Sequence, residues 1–113
     1  MFRHQNSSDA VICDFGLATF ADAEKYLFVR CGTPGFVSPE IINIKDMSAK
    51  SDSISDVFSA GLIFHYLLFG HSIFPGKKYN EILSQNRACD FDFSHSKYQE
   101  INPMASELLK KML

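Results

Sequence analysis

The chain has 113 residues, 46% of them apolar, with only 6 glycines and 4 prolines, which fits one globular domain or part of one and excludes a disordered or fibrous chain. Its 13 acidic and 11 basic residues leave a net charge of −2, too balanced for a nucleic-acid or anionic-membrane surface, so neither partner is expected. Three cysteines, Cys13, Cys31 and Cys89, are odd in number and widely spaced, which excludes a disulfide framework or a zinc site and suits a reducing setting that is intracellular and cytoplasmic.

In chain order, the opening MFRHQNSSD lacks the apolar core of a leader peptide. Ala10 to Cys13 (AVIC) is a short apolar run after a turn-like NSSD and predicts a brief strand feeding Asp14. From Gly16 to about Lys50 no helical periodicity is sustained, and Gly32, Pro34, Gly35 and Pro39 punctuate the middle, so a long irregular segment is predicted. SDSISDVFSAGLIFHYLLFG predicts a helix over about 53–69, with Ser53 as N-cap, Asp56 completing an acidic capping box and Gly70 as the stop. Its longest apolar run, Val57 to Phe69, is too short to span a bilayer, and being apolar nearly all round it predicts a helix buried at the centre of a larger body. Two more helices are predicted over about 77–87 and 103–113, the second with Pro103 at its first position and Met104, Leu108 and Met112 at helical spacing. The cysteines read as buried small apolar groups, and His4, His65, His71 and His95 form no ligand or triad pattern.

Three stretches carry chemistry. In CDFGLATF, Cys13 to Phe20, a carboxylate at a strand-to-loop junction can ligate a divalent cation while Gly16 lets the backbone turn; by itself Asp14 reads more readily as a turn aspartate. In CGTPGFVSPE, Cys31 to Glu40, glycines flanking Thr33 and Pro34 suit an extended loop pressed against a peptide, or an ordinary surface turn. In SDVFSAG, Ser55 to Gly61, Asp56 opens the central helix, where an acid accepts backbone N–H groups and contributes about 1 kcal/mol. In this order and spacing the three resemble the DFG motif, activation segment and central helix of the protein-kinase catalytic domain.

That resemblance implies an α+β fold: the lower part of a kinase C-terminal lobe, mainly α with a short β segment before DFG and an activation segment over 14–40. It implies that Asp14 binds Mg2+ on the co-substrate ATP, with Phe15 packed beneath it and Gly16 turning the chain. Thr33 would support an absent catalytic aspartate, and Pro34 and Val37 would line the pocket for the residue after the phosphoacceptor of a protein substrate. Glu40 and Asp56 would anchor the lobe. The GTPG wording looks like a serine/threonine kinase, and CGTPGF is similar to the calcium/calmodulin-dependent group, with calmodulin or another regulator expected outside this segment. Departures are SPE for APE and Phe58 where tryptophan is common. A glycine-rich loop, a V-A-I-K lysine and an H-R-D loop are not found in these residues, so both ends are expected to be cut and the isolated chain to be inactive. The rival reading is a kinase-like binding module that regulates without catalysis.

Overall fold

A computed structural model describes all residues, 1–113. Four helices follow one another: α1 (Pro39–Ile42), α2 (Ile54–Phe69), α3 (Tyr79–Ala88) and α4 (Pro103–Met112), with a single 3-10 turn at Ser96–Tyr98 before the last. The molecule is mainly helical, and the β segment expected at Ala10–Cys13 is reduced to one antiparallel bridge between Phe2 and Ala10. Arg3 donates its N–H to Asp9 O at 2.9 Å and Val11 to Met1 O at 2.8 Å, but no third strand joins them. A two-stranded ribbon without a covered face is marginal, which is why the pairing stops there.

The central helix starts where its sequence signals place it, with Ser53 at the N-cap position. Ser53 makes no side-chain cap bond, so the capping box with Asp56 does not form. Asp52 takes the role instead, its Oδ1 accepting the Ile54 N–H at 3.1 Å. At the other end Gly70 adopts φ 72° and donates to Tyr66 O at 2.8 Å, closing the helix with a left-handed cap. Only one face of α2 is buried, carrying Ser55, Phe58, Gly61, Leu62 and His65, while Ile63 and Tyr66 are half exposed and Leu67 is 77% exposed. The all-round apolar sequence therefore conceals a single inward stripe in this chain.

That stripe packs against α4. A Cβ on Gly61 would lie 2.9 Å from Met112 Cβ, so only glycine lets the two helices approach this closely. Asn102 caps α4 by accepting the Met104 N–H at 2.9 Å, and Pro103 fills the position that needs no donor. Its inward residues are Ser106 and fully buried Leu109, with Met104 80% exposed and Leu108 half exposed. Of the Met104, Leu108, Met112 series only Met112 meets α2, and the buried face is centred instead on Ser106 and Leu109. Phe58, Leu62 and Phe74 form the core, flanked by Ile73, Ile82, Cys89, Phe91 and Leu113. Each such large apolar side chain contributes roughly 1.5–3 kcal/mol when fully buried.

Beside the core lies an aromatic group around His65. The imidazole is fully buried, its Nε2 is 3.3 Å from the Tyr98 hydroxyl, and its Nδ1 has no partner. Phe69 stacks on it at 4.6 Å between centroids, and Phe93 meets Tyr98 edge-on at 5.1 Å. Burial first, and the Lys97 ammonium second, hold the His65 pKa down to about 4. No helix is long and apolar enough to cross a membrane.

Candidate functional site

The loop from Arg30 to α1 is shaped by turns rather than by pairing. Phe36 donates to Thr33 O at 3.0 Å, and Gly32 and Gly35 adopt φ 120° and 88°, left-handed values that a side chain rarely tolerates. Gly35 is also pressed against α3, where a Cβ would come within 3.1 Å of Ile82 Cγ2. Pro39 then starts α1, and Val29 and Ile42 bury their side chains on either side of the loop.

Two helices hold this loop through side chains. From α3, Asn86 accepts the Gly35 N–H at 2.8 Å on Oδ1 and donates from Nδ2 to Val37 O at 2.9 Å. From α2, Ser59 donates its hydroxyl to Phe36 O at 2.7 Å. Between loop and helix lies a cavity of about 120 Å³, lined by Pro34, Val37, Ile41 and Ile42 on one side and by Tyr79 and Leu83 of α3 on the other, with Arg30 at its edge. Pro34 and Val37 therefore face one cavity together, whereas Thr33 is exposed and outside its lining. A pocket so walled can take a small apolar side chain, and its backbone rim can pair with an extended peptide.

Glu40 sits at the start of α1 and receives the Ser55 hydroxyl of α2 at 2.7 Å on Oε1. Partial desolvation raises its pKa, but the hydrogen bonds from Ser55 and from its own backbone stabilise the anion more and hold the carboxyl below its ordinary range. Glu40 thus ties α1 to α2 inside the chain. Asp56 lies in the first turn of α2, exposed, its backbone N–H bonded to Ser53 O at 3.0 Å.

Asp14, Phe15 and Gly16 stand apart from this loop. Asp14 is exposed and has φ 65°, a conformation uncommon for a residue with a side chain and concentrated at functional sites. Its Oδ1 accepts the Gly16 N–H at 3.3 Å, which stabilises the turn locally. Phe15 is 68% exposed and does not pack beneath it. No group of three or more His, Cys, Asp or Glu residues could hold a metal ion by itself. One exposed carboxylate still fits Mg2+, which keeps waters and is bound through one or two carboxylates plus phosphate oxygens.

The cysteines depart from expectation in different degrees. Cys13 is exposed, and Cys31 and Cys89 are half-buried. Burial and then the charge of Glu40 push the Cys89 thiol up to about 11, so it stays protonated against the core. Sequence reasoning missed Asn86 altogether. A signal existed: with Ile82 and Leu83 it occupies the inward stripe of α3, where an apolar residue is the rule.

Comparison with known proteins bears on the whole chain. A family profile described as Protein kinase domain matches residues 1–113. Myosin light chain kinase family member 4 of Mus musculus is 34% identical over 110 residues, covering 97% of this chain and 28% of that protein. The smooth muscle myosin light chain kinase of Gallus gallus is 33% identical over 113 residues, all of this chain and 6% of that protein. A solved twitchin kinase fragment of C. elegans, an autoregulated protein kinase with immunoglobulin domains, superposes with a TM-score of 0.81 at 27% identity, over 100% of this chain and 25% of that one. The chain thus spans less than a third of each.

Proposed function

The chain belongs to the protein kinase family, and from that membership we propose that it forms the lower, helical part of a serine/threonine kinase domain that transfers the γ-phosphate of ATP to a protein, inside the cell. The observation that carries this reading is the loop from Gly32 to Val37, fixed by Asn86 and Ser59 beside an apolar cavity at the position of the family's activation segment. Such transfer depends on positioning and charge stabilisation more than on covalent chemistry by the protein.

Each residue then has a task. Asp14 offers its carboxylate to Mg2+, aimed by a left-handed backbone and the Gly16 turn. Mg2+ held there would supply positive charge to the transferring phosphate. Thr33, exposed beside the turn, supports the catalytic aspartate and the phosphoacceptor, and Pro34 and Val37 receive the next side chain of the peptide, an apolar one given the cavity's lining. Gly16 sets the pose of Asp14 through its N–H, and Glu40, through Ser55, ties the loop's far end to the head of α2; Phe15 and Asp56, exposed here, would serve as anchors only against the rest of a kinase domain. Calmodulin or another regulator acts outside residues 1–113. The segment alone transfers no phosphate, because it contributes one metal ligand where the reaction uses several charges as a unit.

Asp14→Asn in the full-length polypeptide tests the reading. Phosphate transfer to peptide is expected to drop by about a thousandfold or more, as removal of a transition-state charge does, while the melting temperature stays put because the side chain is exposed. Normal turnover in this variant would remove the metal role of Asp14.

A further inference from the structure

Asn86 is fully buried on a helix face that otherwise carries Ile82 and Leu83. A buried amide is costly unless its donor and acceptor are both used. Both are: Oδ1 takes the Gly35 N–H and Nδ2 gives to Val37 O, so the partners fix which way the amide points. The side chain thereby bridges the N–H of loop residue i and the carbonyl of residue i+2, across 51 and 49 positions of sequence. Phe36, between them, gives its carbonyl to Ser59 of α2. Three successive loop residues are held by two helices, and Pro34 and Val37, which border these bonds, wall the cavity opposite Tyr79 and Leu83 of the helix that carries Asn86.

We infer that Asn86 is a positioning residue for substrate selection: it sets the spacing between α3 and the loop and so the shape of the cavity that receives the residue after the phosphoacceptor. This rests on the reading of the loop as a peptide-docking element. Asn86 touches neither phosphate nor phosphoacceptor; it acts through Gly35 and Val37. Losing it leaves a buried N–H and a carbonyl without partners, and the loop relaxes away from α3.

The test uses the full-length polypeptide and two peptides that differ only after the phosphoacceptor, one with leucine and one with lysine. Wild type is compared with Asn86→Leu, which removes both bonds at similar volume, and with Asn86→Asp, which keeps the acceptor but sets a carboxylate against Val37 O and serves if the leucine variant does not fold. Wild type is expected to prefer the leucine peptide. In the variants that preference falls by about tenfold through a higher KM for the leucine peptide, with kcat and the KM for ATP kept, as expected when binding rather than chemistry is disturbed. Unchanged preference and KM in a folded variant would overturn the inference. So would loss of ATP binding or of the melting transition in both variants, since Asn86 would then hold the lobe and not the loop. If wild type treats the two peptides alike, the docking reading itself fails, and the inference falls with it.

Discussion

Residues 1–28 and residues 54–113 are organised on different principles. The first region contains no buried residue, and its backbone is held by a bridge at Phe2–Ala10 and by local turns such as that of Asp14 with Gly16. The second contains α2, α3 and α4, the cluster of Phe58, Leu62 and Phe74, and fully buried Leu109, His65 and Asn86. The DFG stretch thus lies where the chain has no core of its own, and the loop of Gly32 to Val37 lies where helices can hold it. A metal-binding carboxylate needs exposure and a local turn; a peptide pocket needs a wall that does not move.

If that contrast is right, a cut in the helical region should cost far more than one in the first. Leu109→Ala removes a side chain with no exposure from the α2–α4 contact and should destabilise the protein by about 3 kcal/mol, within the usual range for a buried leucine. Phe20→Ala, at a residue 82% exposed, should stay within about 0.5 kcal/mol despite its larger loss of volume. Urea unfolding of the two variants checks both, and comparable costs would break the contrast.

Acid should discriminate the regions too, through His65. Its folded pKa is depressed to about 4 by burial and by Lys97, so the native state resists the proton that the unfolded chain accepts below its ordinary value near 6.5. The unfolded state therefore binds more protons between those values, and stability is complete above about pH 7 and falls as pH drops. The loss should reach about 2 kcal/mol by pH 5. The carboxylate of Glu40, held low by Ser55, adds a loss only at lower pH, as the medium falls through its depressed pKa. Replacing His65 with leucine should flatten the slope between pH 7 and pH 5 in unfolding measurements; an unchanged slope would place the acid sensitivity elsewhere.

The same contrast explains what the sequence disclosed. Helix α2 was legible because a largely apolar run ends at Gly70, a stop that works through its own left-handed backbone. Its buried face was not, since a helix apolar on all sides gives no phase; Gly61 against Met112 sets it. Ser53 holds the N-cap position as read, but of the acceptors on Asp52, Ser53 and Asp56 only Asp52 has the geometry to take the Ile54 N–H. The strand at Ala10–Cys13 had the right residues but lacks a partner beyond Phe2. In the candidate site, Pro34 and Val37 were named through the family resemblance and lie on one cavity wall, whereas Asn86 answers a demand that exists only once the loop has folded onto α3.

The smallest expected effect bears on the first region most directly. Arg3 Nε and Asp9 Oδ2 are 2.8 Å apart, an ion pair beside the Phe2–Ala10 bridge, yet their side chains are 59% and 61% exposed. A pair so solvated gains little, because water screens the attraction and both side chains lose rotamer freedom. The backbone bonds from Arg3 to Asp9 and from Val11 to Met1 run beside it and survive the change. Asp9→Asn should therefore alter the unfolding free energy by less than about 0.5 kcal/mol, and by the same amount at low and at high salt. A loss above about 1 kcal/mol that vanishes in salt would show that the bridge is held by charge and anchors more of the chain than its exposure implies. The first region would then be a cooperative part of the fold, and the division between an exposed motif and a self-supporting helical body would have to be redrawn at Asp14.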